Sequence, residues 1–277
     1  MPELCVYRKD DLQFTHNYDT HPQQKDFFLH IHDQYEIYCF LSGNAEYLVE
    51  GNTYSLKPGC ILIMRPSEVH KVRIISEKPY ERYVIQFADS LLDAVDPERY
   101  LLKAFWNRPL GQKNRYFPTE FEKMRPMELL DAMCASAENE QERRLKILSY
   151  LYSLLEQLYT AFLKKDDPFS TQRSSAEKLV SYINQHLSDD LSLNLLSERF
   201  FLSVSQINRL FKQATGSPVG EYILAKRLMN ARSLLREGQP AMDACQKSGF
   251  KDYSAFYRSY CKRFGVSPRE DMSEKWK

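Results

Sequence analysis

Apolar residues change period along the chain, and the changes mark out three stretches. From Phe27 to Phe87 short apolar or alternating runs (FFLHIH, YEIYCFL, AEYLVE, TYSL, CILIM, VHKVRII and YVIQF) are split by Ser42-Gly43-Asn44, Glu50-Gly51-Asn52, Lys57-Pro58-Gly59 and Arg65-Pro66-Ser67. Period-two runs between turn-forming clusters predict an all-β unit, an antiparallel sheet or barrel. From Leu91 the period becomes helical, broken by Pro97, Pro109, Pro118 and Pro126, so residues 91–140 receive no detailed assignment. Beyond them Leu145, Leu148, Tyr152, Leu155, Tyr159 and Phe162 repeat at spacings of three and four. Such a seam suits a helix pair. Either it dimerises through residues 141–163 or it packs on its own barrel, and the pattern leaves both open.

After the polar stretch from Lys164 to Ser175 every signal is helix or turn. A short helix over about Asn194–Phe200 leads through Phe201-Leu202-Ser203 into a helix over Val204–Ala214. There Ser203 and Gln206 make a capping-box pattern, and Thr215-Gly216 ends the helix. Val204, Ile207, Leu210 and Phe211 form one face, leaving Ser205, Asn208, Arg209 and Lys212 on the other. A long helix begins at Ser217-Pro218. The pattern then recurs, with a short helix over about Ala241–Lys247, a turn at Ser248-Gly249-Phe250, and a helix over Tyr253–Phe264 capped by Asp252 and ended by Gly265. Phe256, Tyr260 and Phe264 share its apolar face, opposite Ser254, Tyr257, Arg258 and Cys261. Two helix-turn-helix units joined by a helix of roughly 20 residues, about 30 Å long, can reach successive major grooves on one face of DNA.

Charge sharpens this reading. The 277 residues carry a net charge of only +1, yet residues 174–277 hold 16 Lys+Arg against 11 Asp+Glu and the remainder 22 against 26. Positive charge gathered at one end suggests a polyanionic partner there. No apolar run reaches the roughly 18 residues of a membrane span, and the first residues lack a signal-peptide pattern, so a cytoplasmic protein without membrane contact is expected. Cys5, Cys39, Cys60, Cys134, Cys245 and Cys261 are scattered without a CxxC pair, which predicts buried apolar thiols for most of them rather than disulfides or a thiolate metal site.

Residues 176–277 resemble the AraC/XylS family of transcription regulators. The resemblance rests on FLSVSQINRLFKQATGSPVGEYILAKRLMNARSLL and on SGFKDYSAFYRSYCKRFGVSP. Ser197 stands where the family usually has alanine, and Cys245 at the matching position of the second unit. The resemblance implies base-edge readers at Ser205, Asn208 and Arg209 in the first unit and at Tyr253, Ser254, Tyr257 and Arg258 in the second. Lys212 and Lys251 are placed against phosphates. Arginine can pair with guanine through two hydrogen bonds, which makes Arg209 and Arg258 the strongest candidates.

Upstream, His30, His32 and Glu36 followed by Gly43 resemble the first cupin motif, and Pro66 to His70 a shortened second one. Three imidazoles and a carboxylate, His30, His32, Glu36 and His70, can hold a divalent first-row transition metal. The same side chains with Tyr38 can instead hydrogen-bond an organic effector, and sensor barrels of this regulator family often carry no metal. No cofactor is therefore assigned.

The expected fold class is α+β. A cupin-like antiparallel barrel with a helical dimerisation segment spans 1–165, a linker 166–175, and an all-α domain with two helix-turn-helix units 176–277. The expected function is a non-enzymatic, effector-controlled regulator binding double-stranded DNA as a homodimer, with RNA polymerase as a further partner and a sugar as the family's commonest kind of effector. The rivals are a metal-dependent cupin isomerase or dioxygenase with a DNA-binding tail, and a constitutive DNA-binding dimer.

Overall fold

The computed structural model describes residues 3–121, 126–165 and 174–273; residues 166–173 of the expected linker lie outside them. The chain divides into two compact units. The first comprises Met1–Phe28, Asp33–Val49 and Thr53–Ser170, and the second Leu29–His32, Glu50–Asn52 and Thr171–Lys277.

Among the described residues nine strands run through the N-terminal part: β1 Glu3–Lys9, β2 Leu12–Asp19, β3 Tyr35–Ser42, β4 Ala45–Val49, β5 Asn52–Ser55, β6 Ile61–Met64, β7 His70–Ile74, β8 Tyr80–Phe87 and β9 Arg115–Tyr116. They form a six-stranded sheet, ordered β1-β2-β8-β3-β6-β9, and a three-stranded sheet, β5-β4-β7. Strand β3 shows how the layers are built, because its side chains alternate between two cores. Tyr35, Ile37 and Cys39 join an outer cluster with helices α2 (Pro126–Met133) and α3 (Glu140–Leu163), while Tyr38 and Phe40 face the interior with Tyr47, Leu62 and Tyr80. A short helix, α1 (Lys103–Trp106), adds Ala104 and Phe105 to the outer cluster.

Six of the seven apolar runs become strands. The first does not: Phe27–His32 is irregular, with a single bridge residue at His30. Gln24 takes the place a strand would occupy beside β7, its side chain accepting from the Ile74 N–H at 2.9 Å and donating to the Val72 carbonyl at 3.2 Å. Phe27 meanwhile plugs the interior edge-on to Tyr80, with ring centroids 5.4 Å apart. The expectation that the FFLHIH run, which carries His30 and His32, forms a strand is therefore corrected.

Helix α3 sends Ile147, Leu151, Leu154, Leu158 and Ala161 into its own unit's core. Along the expected seam, Leu155 is buried, the Tyr152 hydroxyl donates to the Leu91 carbonyl at 2.9 Å, and the Tyr159 ring packs on Tyr100. Leu145 is left 61% exposed. Helix α3 thus packs its buried stripe on its own unit's core.

A buried ion pair lies within the barrel unit. The Arg108 guanidinium forks onto Glu68, at 2.7 and 2.6 Å, with neither side chain exposed. Gly111 N–H also donates to Glu68 at 2.9 Å, and the Asn114 side-chain amide donates to the Ile63 carbonyl at 2.7 Å. Burial alone would raise the Glu68 carboxyl pKa, but Arg108 and the Gly111 N–H hold it below the usual carboxylate range.

The second unit is helical: α4 Ser175–Gln185, α5 Leu193–Phe200, α6 Val204–Thr215, α7 Val219–Arg236, α8 Ala241–Lys247, α9 Tyr253–Phe264 and α10 Pro268–Ser273. The local signals explain the ends. Ser203 and Gln206 form a reciprocal capping box, Gly216 ends α6 at φ 78°, and Asp252 accepts from the Ala255 N–H at 2.6 Å to cap α9. Ser197 has a specific job here: its hydroxyl donates to the Leu202 carbonyl at 2.5 Å and secures the turn between α5 and α6. Within α7, Arg227 donates to the carbonyls of Leu187 and Asp189, both at 2.7 Å, tying the α4–α5 connection to the long helix.

Buried Asp271 on α10 accepts from Arg232 Nε at 2.7 Å, Arg236 Nε at 3.2 Å and the Tyr260 hydroxyl at 2.6 Å, joining α7, α9 and α10. Burial opposes ionisation, but Tyr260 and the two guanidiniums outweigh it and lower the Asp271 pKa. A folded-state pKa below the unfolded value of about 3.9 adds stability that is present above that pH and lost as pH falls through the folded value. We expect the thermal midpoint of the second unit to drop on acidification below about pH 4, and Asp271→Asn to flatten that part of the slope. A slope unchanged by the substitution would remove Asp271 from the account.

Candidate DNA interface and barrel interior

In α6 the buried residues Ile207, Phe211 and Thr215 fix which side faces out, and in α9 Phe256 and Tyr260 do the same. Ser205, Arg209 and Lys212 are consequently exposed and Asn208 is half-buried; Ser254, Tyr257 and Arg258 are exposed and Tyr253 is half-buried. Among the described residues, the side chains of Ser205, Asn208, Arg209, Lys212, Ser254 and Arg258 make no hydrogen bond or ion pair, so their donors and acceptors are directed at solvent. The Tyr253 and Tyr257 rings are tilted against each other with centroids 6.4 Å apart, and Lys251 reaches Asp190 at 3.5 Å. Phe201 stands 94% exposed in a left-handed conformation in the turn before α6, which the sequence pattern did not single out.

Inside the barrel Glu36 and His70 come together from β3 and β7. Glu36 accepts from the Tyr47 hydroxyl at 2.9 Å and from the Gln86 amide at 2.8 Å, and His70 Nε2 lies 3.5 Å from its carboxylate. His70 Nδ1 is 2.8 Å from the Glu68 carbonyl, which can only accept, so Nδ1 carries a proton and Nε2 faces Glu36. Burial alone would push the His70 imidazole pKa down, yet the Glu36 carboxylate and the Glu68 carbonyl hold it above its ordinary value. Tyr38 sits beside the pair, its hydroxyl hydrogen-bonded to that of Tyr80 and its ring 4.5 Å from that of Tyr47. Burial raises the pKa of all three phenols, with Tyr80 pushed up to about 12, so they remain neutral hydrogen-bonding groups.

The segment Leu29–His32 groups with the second unit, and of the expected ligand set the barrel unit itself contributes Glu36, Tyr38 and His70. Tyr47, Tyr80 and Gln86 were missed. Each belongs to a strand, but nothing in a lone tyrosine or glutamine marks it as facing the interior until the register is known; Gln86 pairs with Glu36 across β8 and β3.

A barrel with a polar interior, accompanied by a helical body that presents two outward-facing second helices of helix-turn-helix units, defines a DNA-binding transcription regulator with a ligand-binding domain. Residues 17–155 match the model of the AraC-like ligand binding domain and residues 196–273 that of a helix-turn-helix domain; the chain belongs to the AraC/XylS family of regulators. It is similar to the HTH-type transcriptional activator RhaS of Escherichia coli O81 (strain ED1a) and of Shigella dysenteriae serotype 1 (strain Sd197), 25% identical over 258 residues in each case, 89% of this chain and 88% of theirs. Among solved structures, ToxT from Vibrio cholerae is similar over 95% of this chain and 98% of its own at 15% identity and a TM-score of 0.39. An AraC-type regulator from Chromobacterium violaceum covers 37% of this chain and 93% of its own at 27% identity and a TM-score of 0.34. The relatives of this chain are transcription regulators. No helix among the described residues is long and apolar enough to cross a membrane.

Proposed function

We propose that the chain is a non-enzymatic, cytoplasmic regulator that reads double-stranded DNA with α6 and α9. Ser205, Asn208, Arg209, Tyr253, Ser254, Tyr257 and Arg258 contact base edges, and Lys212 contacts phosphate. The observation that carries this reading is the row of exposed polar side chains on α6 and α9 that make no internal hydrogen bond. Arg209→Ala is expected to weaken binding to the preferred site by about 1–3 kcal/mol and to relax base choice, whereas Lys212→Ala weakens all sequences alike. Equal loss on specific and random duplexes for Arg209→Ala, measured by fluorescence anisotropy at fixed salt, would remove its base-reading role.

The effector is a small hydroxylated molecule, a sugar first among them, held by Glu36, Tyr38 and His70 between aromatic walls. A carboxylate and imidazole beside phenol rings offer hydroxyl groups both acceptors and donors, with apolar faces for the carbon skeleton. Calorimetry against a panel of monosaccharides should find one binder, and Glu36→Gln should cost about 1.5–3 kcal/mol of its affinity, the worth of a hydrogen bond to a charged group. If no monosaccharide binds, the effector class is wrong. Ligand binding alters DNA affinity in a homodimer that works with RNA polymerase; DNA affinity indifferent to a bound ligand would favour a constitutive binder.

One observation favours a second reading of the barrel: a histidine whose Nδ1–H is fixed by a carbonyl presents Nε2 as a metal ligand would. Elemental mass spectrometry of protein purified without chelator decides it. Near-stoichiometric metal lost in His70→Ala would replace the organic-ligand reading with a metal centre.

A further inference from the structure

The turn that joins α5 to α6 holds a side chain that the fold itself does not use. Of the two phenylalanines at its start, Phe200 packs edge-on to Tyr182 of α4, with ring centroids 5.6 Å apart, while Phe201 points away and stands 94% exposed. The backbone sets this direction. Phe201 adopts φ 55° and ψ 38°, which lets the N–H groups of Phe201 and Leu202 both donate to the Ser197 carbonyl, the second at 3.2 Å. The Ser197 hydroxyl donates in turn to the Leu202 carbonyl, so the turn is closed from both sides.

A single exposed apolar side chain needs no explanation, and a left-handed residue at a helix end is ordinary. Their combination in one residue is not. A left-handed backbone brings Cβ close to the following carbonyl oxygen, and bulky residues seldom accept it. Of the five non-glycine residues with positive φ among the described residues, the other four, Glu50, Ser67, Arg99 and Lys113, are all polar. The turn before α9 in the second helix-turn-helix unit uses Gly249 for its left-handed position, at φ 85°. Glycine would adopt the Phe201 conformation without strain, and a ring in solvent contributes no packing. A strained position that carries an almost fully exposed aromatic points to a contact made outside the fold.

Its place says what that contact is. In a helix-turn-helix the first helix crosses the phosphate backbone and the N-terminal residues of the second enter the major groove, so the turn between them lies against the DNA strand that borders the groove. Phe201 comes two residues before Ser203, the cap of α6, and four before Ser205. The tip Phe201-Leu202-Ser203 carries no charge, and the nearest cation in sequence, Arg199, is held over the Tyr182 ring at 4.5 Å. Such a tip suits the carbon face of a deoxyribose rather than phosphate oxygens. We propose that the Phe201 ring packs on the deoxyribose of the strand bordering the groove that α6 enters, and so sets the depth and angle of α6 without reading bases. The inference rests on the DNA-reading role given to α6 above.

The test is fluorescence anisotropy of the full-length chain with a labelled mixed-sequence duplex of about 30 base pairs, long enough for two successive grooves, together with thermal unfolding of each variant. Phe201→Gly removes the ring and the backbone strain together. It should weaken binding about three- to tenfold, the order expected from partial burial of an aromatic side chain, while leaving the thermal midpoint unchanged or higher. The slope of affinity against salt should stay as it is, since an apolar contact releases no counterion, whereas Lys212→Ala should lower that slope by about 1. Phe201→Tyr keeps the ring and should recover most of the loss. Affinity unchanged in Phe201→Gly while Lys212→Ala weakens it would overturn the proposal, leave the reading of α6 standing and turn the ring toward a protein partner. Affinity unchanged in both variants would overturn the two together. A loss in Phe201→Gly accompanied by a lower thermal midpoint would make Phe201 a folding residue and overturn the proposal alone.

Discussion

Replacing Arg108 by alanine is expected to lower the stability of the barrel by about 3–5 kcal/mol, the cost of leaving a buried charge without its partner. Glu68 would keep the backbone donors of Gly111 and Arg65 and the Asn114 amide but lose both Arg108 hydrogen bonds, at a site where neither side chain of the pair is exposed. The size of the effect comes from desolvation more than from the attraction, because an ion pair in the interior recovers only part of what it costs to remove two charges from water. The double substitution Glu68→Gln/Arg108→Met should accordingly recover much of the loss, and chemical denaturation of the three proteins checks both statements. A loss below about 1 kcal/mol for Arg108→Ala would place the pair among exposed bridges of little worth. The consequence reaches the candidate effector site, since the Glu68 carbonyl also orients His70.

The second large effect is expected at Gly249, in the turn that leads to α9. Its φ is 85°, and a Cβ there would lie 2.4 Å from the Leu187 carbonyl oxygen and 2.9 Å from Arg227 Nε. That carbonyl cannot move away cheaply, because Arg227 already holds it at 2.7 Å. A left-handed conformation costs an ordinary residue roughly 1–2 kcal/mol, and forced overlap in a packed site adds about 1–3 kcal/mol. Gly249→Ala should therefore destabilise the DNA-binding part by about 2–5 kcal/mol and weaken DNA binding through displaced α9 residues rather than lost contacts. Thermal unfolding together with anisotropy on the preferred duplex tests this. A variant of unchanged stability would show that the α4–α5 connection yields to accommodate the methyl group.

The DNA-binding part was legible because its signals are local. A cap such as Ser203, a stop such as Gly216 or Gly265 and an apolar stripe such as Ile207–Phe211 each act within one or two turns of helix, and the outward position of Arg209 follows from them by geometry. The helices at Val204, Ala241 and Tyr253 begin where the pattern places them. Strands β1 and β2 were not legible. Edge strand β1 buries only Tyr7 fully, so its apolar signal is faint, and β2 shows its register only once β8 lies beside it. Residues 91–140 failed for another reason: short turns and the brief helix α1 are held by side-chain contacts such as Arg108 to Glu68, which no local period announces.

The sequence by itself determined the division into a β part and a helical part, the helix-turn-helix units and the faces of their second helices, because each is set by residues a few positions apart. Only the tertiary structure decided that Phe27–His32 is not a strand, that α3 spends its main apolar stripe on its own barrel, that Glu36 meets His70, Tyr47 and Gln86, and that Cys5 meets Arg143. Those outcomes depend on contacts between residues from 11 to 138 positions apart. Which partners meet over such separations is fixed by strand register and packing of the whole unit, and that competition leaves no trace in any short window of sequence.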